Sequence, residues 1–248
     1  MTINTKTRNK QKKIIKNDNN KFISIVLLCD SPGYRMKSYG PLSLISIGNK
    51  KLIDIQINAI KNAFHNFELI LCLGFDTDKV YRYIKSKYPQ INIRIVENQL
   101  FNSSNSCEGL RLSLNNIYNE NILICDGTLL LSNKILGLLD YNKSCVLVEN
   151  NPFHAMEIGL NYNQSNIVTH FSFGAKYTWS EIIFLTGQEI ISSLQKILIN
   201  YDSKTRFMFE AFNELINNNY NIKTIKNKSQ LIKVNNITTY HDIKDKSL

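Results

Sequence analysis

The stretch Phe22-Ile23-Ser24-Ile25-Val26-Leu27-Leu28-Cys29-Asp30-Ser31-Pro32-Gly33-Tyr34-Arg35-Met36-Lys37 decides how the rest of the chain is read. Residues 22–29 are apolar enough to form a strand buried on both faces. Residues 30–37 are a polar turn holding one Gly and two cations, Arg35 and Lys37. Residues 51–64 follow with Leu52, Ile53, Gln56, Ile57, Ile60 and Phe64 along one side, the spacing of an amphipathic helix. A strand that feeds a Gly-containing loop with a cation is one way α/β proteins hold phosphate. Loop N–H groups and the cation meet an anion at the carboxyl end of the strand. An ordinary βα turn uses the same residue types, and on these residues alone both readings stand.

Outward from this stretch, strand-like and helix-like segments alternate. Residues 67–73 read as a second strand ended by Gly74, and Asp76-Thr77-Asp78 offers an N-cap for a helix over 79–87. A strand over 91–96, a helix over 107–118 and a strand over 121–125 complete a pattern that predicts a parallel sheet covered on both faces. Beyond it, residues 145–149, 157–162, 167–173 and 180–185 read as shorter strands added antiparallel. Helices over 188–198 and 204–217 and a last strand over 229–234 follow. The expected architecture is a single α/β domain over residues 22–248, with a mixed, mainly parallel sheet flanked by helices.

Composition bounds the function. With 248 residues, 43% of them hydrophobic, the chain can bury one large core. No apolar run approaches the roughly 18–20 residues that span a bilayer, and the polar N-terminus lacks a signal-peptide core. The expectation is a cytoplasmic protein. Five cysteines without a C-x-x-C pair, several in apolar runs, read as small buried hydrophobes rather than disulfides or zinc ligands. Of the net charge of +10, +6 lies in residues 1–21, which are expected to form a disordered basic tail. Such a tail solubilises, or touches an anionic surface; a nucleic-acid role resting on it is the weakest reading. His65, His154, His170 and His241 show no ligand spacing.

The opening stretch resembles the nucleotidyltransferase family that activates sugar-1-phosphates and phosphocholine with a nucleoside triphosphate. That family begins L-A-A-G-x-G-x-R-M, which Leu28–Met36 matches at Gly33, Arg35 and Met36. Pro41-Leu42-Ser43-Leu44 follows at family spacing, and residues 48–57 resemble the helix start G-x-K-P-L-I-x-x-Q-I. Residues 97–110 are similar to the cytidylyltransferase block E-N-x-x-y-x-x-T-N-x-x-x-S-L at Asn98, Asn105 and Leu110, with Ser104 for Thr and Gly109 for Ser. Ser104 or Asn105 also suits a plain helix N-cap. Asn121–Gly127 looks like the family strand that ends in a Mg²⁺-binding Asp, here Asp126, although a lone Asp at a strand end is commonly a turn former. Residues 232–236 resemble the segment bearing the second metal ligand, here Asn235.

The resemblance implies a GT-A-like fold with a nucleotide-binding half over residues 22–130 and an acceptor half over 131–248. It implies a Mg²⁺-dependent transfer of a nucleotidyl group from CTP or UTP to a sugar-phosphate or phosphocholine-like acceptor, with pyrophosphate released. Cys29, Ser31, Gly33, Arg35, Asn98, Ser104 and Asn105 would contact the nucleotide, with Arg35 and Lys37 catalytic. Asp126 and Asn235 would hold the metal, and Trp179 and Glu181 would lie at the acceptor, although a lone Trp at a strand start is more often core packing. Two departures stand out: Ser31 and Asp30 replace small family residues, and the family Lys after Pro is Leu42. Losing one preorganised charge of that kind typically costs on the order of 10²–10³ in rate. These departures favour a nucleotide-binding relative without turnover as the alternative. A glycosyltransferase of related fold is disfavoured because Cys125-Asp126-Gly127 lacks D-x-D.

Overall fold

Strand β1 (Ile23–Cys29) carries no polar alternation because it runs through the middle of the sheet, covered on both faces. The computed structural model describes residues 21–149, 157–228 and 231–245. The expected basic tail, except Lys21, lies outside the described residues, as does His154. After β1, two short 3-10 turns and a small hairpin of β2 (Ser46–Ile47) and β3 (Lys50–Lys51) lead into α1 (Leu52–Ala63). Leu52, Ile53, Gln56, Ile57 and Ile60 of α1 are buried, as their spacing predicts. Then come β4 (Phe67–Leu73), α2 (Thr77–Lys87), β5 (Ile93–Glu97), α3 (Ser106–Leu114) and β6 (Asn121–Asp126). The pairs β5–β4, β4–β1 and β1–β6 are all parallel.

The second half comprises α4 (Asn133–Leu136), β7 (Cys145–Glu149), β8 (Ile158–Tyr162), β9 (Val168–Phe173), β10 (Tyr177–Thr186), α5 (Gln188–Ile199), α6 (Met208–Asn217), β11 (Lys223–Asn227) and α7 (Ile237–Ile243). Strand β10 inserts antiparallel between β6 and β7, β8 and β9 pair off its end, and β11 closes the edge parallel to β7. The fold is thus α/β with a mixed, mainly parallel central sheet. The strand expected over 229–234 is a correction. Within its described part, residues 231–234, there is one isolated bridge, Lys233 with Leu129, and the edge strand is Lys223–Asn227 instead. Its two lysines, Lys223 and Lys226, read as polar surface but suit an edge that must not pair with another chain.

One face of the sheet packs on α3, α5 and α6, and the other on α1, α2 and α4. A smaller cluster of Met36, Leu42, Ile45, Ile47, Leu52, Val234 and Ile243 ties the loop after β1 to the C-terminal segment. Each such Leu or Ile contributes roughly 1.5–3 kcal/mol on burial, so this cluster fixes two sequence-distant segments against each other. All five cysteines are free, four of them buried.

Candidate active site

Leu28 of β1 is in register with Asp126 of β6, so both strands deliver their carboxyl ends to one place. There a cleft of about 380 Å³ opens, lined by Asp30, Ser31, Ser104, Asn105, Asp126, Glu181, Lys233 and Asn235, with Phe101 and Phe207 among its apolar walls. Parallel strands converge their loops on this edge, which is where α/β sheets bind ligands.

Asp126 is held firmly. Its Oδ1 accepts the Thr128 N–H at 2.7 Å and the Thr128 hydroxyl. Gln56 reaches across from α1 and donates its Nε2 to the carbonyls of Gly127 and Leu129, at 2.9 and 2.8 Å. A Cβ at Gly127 would lie 2.4 Å from Cys29 Sγ, so a glycine is required there. Cys29 therefore backs the turn and does not line the cleft. Its thiol is pushed up to about 12 by burial, against a hydrogen bond from Ser43.

The loop after β1 has turned inward. Ser31 Oγ accepts the Gly33 N–H at 3.2 Å, and the Tyr34 N–H donates to the Asn235 carbonyl at 2.8 Å. Gly33 has φ 72°, and a Cβ there would meet Leu42 Cδ1 at 2.9 Å. Leu42 is a core residue, 4% exposed. Arg35, at φ 57°, is exposed with its guanidinium 5.0 Å from the Tyr34 ring centre. Lys37 donates to Asn102 Oδ1 at 3.1 Å. Neither cation is among the residues lining the cleft, and Lys37 does not enter the space that Leu42 fills.

On the opposite wall, Asn98 is buried and donates to Asp30 Oδ2 at 2.7 Å and to Ser104 Oγ at 3.1 Å, so it braces the lining from behind. Burial, with Asp126 adding to it, pushes the Asp30 carboxyl up. A Cβ at Gly109 would lie 2.7 Å from Asp30 Oδ2. Two departures from the family pattern, Asp30 and Gly109, are thus one: the glycine makes room for the carboxylate. Asn105 occupies the N-cap of α3 without capping it through its side chain, and its Nδ2 donates to the Thr205 carbonyl at 2.6 Å instead.

Glu181 comes from an irregular part of β10. Between Trp179 and Ile183 four steps along β10 match two along β7, and Glu181 has φ 53°, a conformation a non-glycine residue holds at about 1–3 kcal/mol. The bulge carries its carboxyl against Asp126. Burial first, then the Asp126 charge, raise it to about 7. Trp179, two residues earlier, is corrected to a core residue: 1% exposed, Nε1 donating to the Ile182 carbonyl at 3.2 Å, and packed edge-on to Phe171 and Phe212. An indole so enclosed cannot cage an acceptor.

Sequence reading missed Lys233, whose ammonium hydrogen-bonds Glu181. Burial lowers its proton affinity, but Glu181 and Asp126 more than offset that. The signal was present: Lys233 lies two residues before Asn235 in an extended segment, hence on the same face. For a metal, Asp126, Glu181 and Asn235 offer hard oxygen donors, which suits Mg²⁺ arriving with phosphate ligands of its own. Among the described residues no group of three His, Cys, Asp or Glu side chains converges to hold an ion unaided.

No family model and no curated protein matches the sequence. Solved structures do. The CTP:phosphocholine cytidylyltransferase LicC of Streptococcus pneumoniae matches with a TM-score of 0.73 at 17% identity, over 90% of this chain and 98% of that one. The inositol-1-phosphate CTP transferase of T. maritima matches at 0.71 and 12%, over 87% and 90%. The 4-diphosphocytidyl-2C-methyl-D-erythritol synthase of Anaerococcus prevotii matches at 0.64 and 17%, over 90% and 97%. The chain has the mixed α/β fold of the nucleotidyltransferases.

Proposed function

We propose that the chain is a nucleotidyltransferase that moves a nucleotidyl group from CTP or UTP to a phosphorylated small-molecule acceptor and releases pyrophosphate. The observation that carries this reading is the convergence of Asp126, Glu181, Lys233 and Asn235 in one cleft at the carboxyl ends of β1 and β6, on a fold that such enzymes use. Asp30, Ser104 and Asn105 line the end of the cleft assigned to the base and sugar, with Phe101 beside them as a stacking surface. Ser31, at the mouth of the first loop, borders the triphosphate, and exposed Arg35 and Lys37 stand outside it.

A second cavity of about 490 Å³ shares Glu181, Lys233 and Asn235 with the first and is further lined by Glu157, Phe173 and Asp242. It is the acceptor side in this reading, and Glu181 stands where the two substrates meet. The acceptor phosphate then attacks the α-phosphorus and pyrophosphate leaves in line, so that positioning and charge neutralisation do most of the work. Mg²⁺, held by Asp126 and Asn235 together with the phosphates, would supply positive charge to the triphosphate. Among the described residues no helix is long and apolar enough to cross a membrane, in keeping with action in the cytoplasm on soluble substrates.

The second reading, a relative that binds nucleotide without turnover, is favoured by Leu42 in the core and by the Gly33 N–H already bonded to Ser31. Calorimetric titration with the four ribonucleoside triphosphates plus Mg²⁺ tests nucleotide binding; four flat traces end the nucleotide reading. Pyrophosphate release with a panel of sugar-1-phosphates and phosphocholine then separates enzyme from binder.

A further inference from the structure

Asp30 puts a carboxylate in the cleft lining where the matched pattern has a small residue with no side chain to reach a ligand. The chain is built around it. Asn98, buried behind the lining, donates both hydrogens of Nδ2, one to Asp30 Oδ2 at 2.7 Å and one to Ser104 Oγ at 3.1 Å. Its Oδ1 accepts the Leu100 N–H at 3.0 Å, which fixes the amide in that orientation. Ser104 in turn donates its only hydrogen to the Leu100 carbonyl at 2.9 Å. Asp30 and Ser104 are thus two acceptors held side by side on one amide nitrogen, and Ser104 has no hydrogen left for a ligand. The Asn98 bond opposes the rise that burial imposes on the Asp30 carboxyl and so favours its accepting form. Gly74 brings Phe101 against the same residue, since a Cβ there would lie 2.5 Å from Phe101 Cβ and 2.6 Å from the Asp30 carbonyl oxygen. A ring stacked on Phe101 would therefore turn its edge toward a pair of acceptors. Cytosine presents an amino group with two hydrogens at the ring position where uracil presents a carbonyl oxygen. The amino group satisfies both acceptors, whereas the carbonyl oxygen would leave them unpaired.

We propose that Asp30, with Ser104, selects the nucleobase by its exocyclic amino group, so that the chain takes CTP and rejects UTP. This rests on the pyrimidine-nucleotide reading above and chooses within it. Asp30 contacts the base, Asn98 is a positioning residue that holds both acceptors, and Gly109 leaves the space that the carboxylate occupies.

The test is calorimetric titration of the full chain, with Mg²⁺ present, against the four ribonucleoside triphosphates and the triphosphate of pyrimidin-2-one riboside, which is CTP without its amino group. Wild type should bind CTP at least about tenfold more tightly than UTP or the pyrimidinone. Asp30→Ala should lose that preference by weakening CTP while UTP stays within about threefold. The double variant Asp30→Ala, Gly109→Ser sets the residues of the matched pattern in both places and fills the space the carboxylate leaves. It should show the same loss. Asp30→Asn, which offers an N–H to a carbonyl oxygen, should raise UTP relative to CTP. A purely structural role for Asp30 would weaken CTP and UTP alike in the single and double variants, and that result overturns the proposal. A wild-type preference for CTP below about tenfold, or tightest binding of UTP or a purine triphosphate, overturns it too while leaving nucleotide binding intact. Flat traces with every triphosphate remove the nucleotide reading and this inference together.

Discussion

The two sides of the cleft have been built on opposite principles. On the first-loop side, residues 30–42, the recognisable motif has spent its groups internally: Ser31 on Gly33, Tyr34 on Asn235, Leu42 in the core, and Arg35 out over Tyr34. On the far side, β10 and residues 231–236 carry Glu181, Lys233 and Asn235 into the site; the family resemblance points to Glu181 and Asn235 and not to Lys233. The recognisable motif thus serves here as scaffold, while Glu181 and Lys233, the ion pair in the cleft, come from other segments. What matters to a phosphate is the net field in the cleft, and the chain position of each charge is secondary.

The most damaging change to this picture should be Asp126→Ala. It is expected to lower pyrophosphate release by on the order of 10²–10³ and to flatten its response to added Mg²⁺. An unchanged Mg²⁺ titration would remove Asp126 from the site. Next, Leu42→Lys restores the family residue on the motif side. It should destabilise the protein by about 2–4 kcal/mol in urea unfolding, because the ammonium would enter the cluster of Met36, Ile45, Leu52, Val234 and Ile243, and no turnover should be gained. Increased pyrophosphate release from a variant of wild-type stability would show that the loop had merely lost a catalytic group.

Glu181 allows a pH test of the far side. Its folded-state carboxyl titrates near 7, raised by burial and Asp126 from an ordinary value of 4.5, so the folded state holds its proton more tightly. Its contribution to stability is full below about 4.5 and is lost as pH rises through 7. Urea midpoints of wild type should fall across that window relative to Glu181→Gln; parallel curves would contradict the buried acid pair. The smallest effect is expected from Arg35→Ala, less than about tenfold in triphosphate affinity and within about 0.5 kcal/mol in stability, since the side chain is exposed. A loss of a hundredfold would mean that the loop folds over the ligand and that both sides share the charge.

By itself the sequence determined the parallel half of the sheet. Strands β1, β4 and β6 are long apolar runs, and α1 carries its spacing openly, because burial on both faces leaves no freedom of composition. Asp126 ends such a run, but it was the resemblance to the family strand, and not composition, that singled it out. The tertiary structure alone added Lys233 and sorted the other candidates between cleft and core. Trp179 and Glu181 are two residues apart in one strand, yet a bulge sends one to the core and the other to the cleft. Lys233 enters through a segment that forms no strand, held by hydrogen bonds to a turn about a hundred residues away in the chain. Local composition cannot encode such meetings, since they depend on register and on backbone bonds between distant segments, which exist only after the chain has folded.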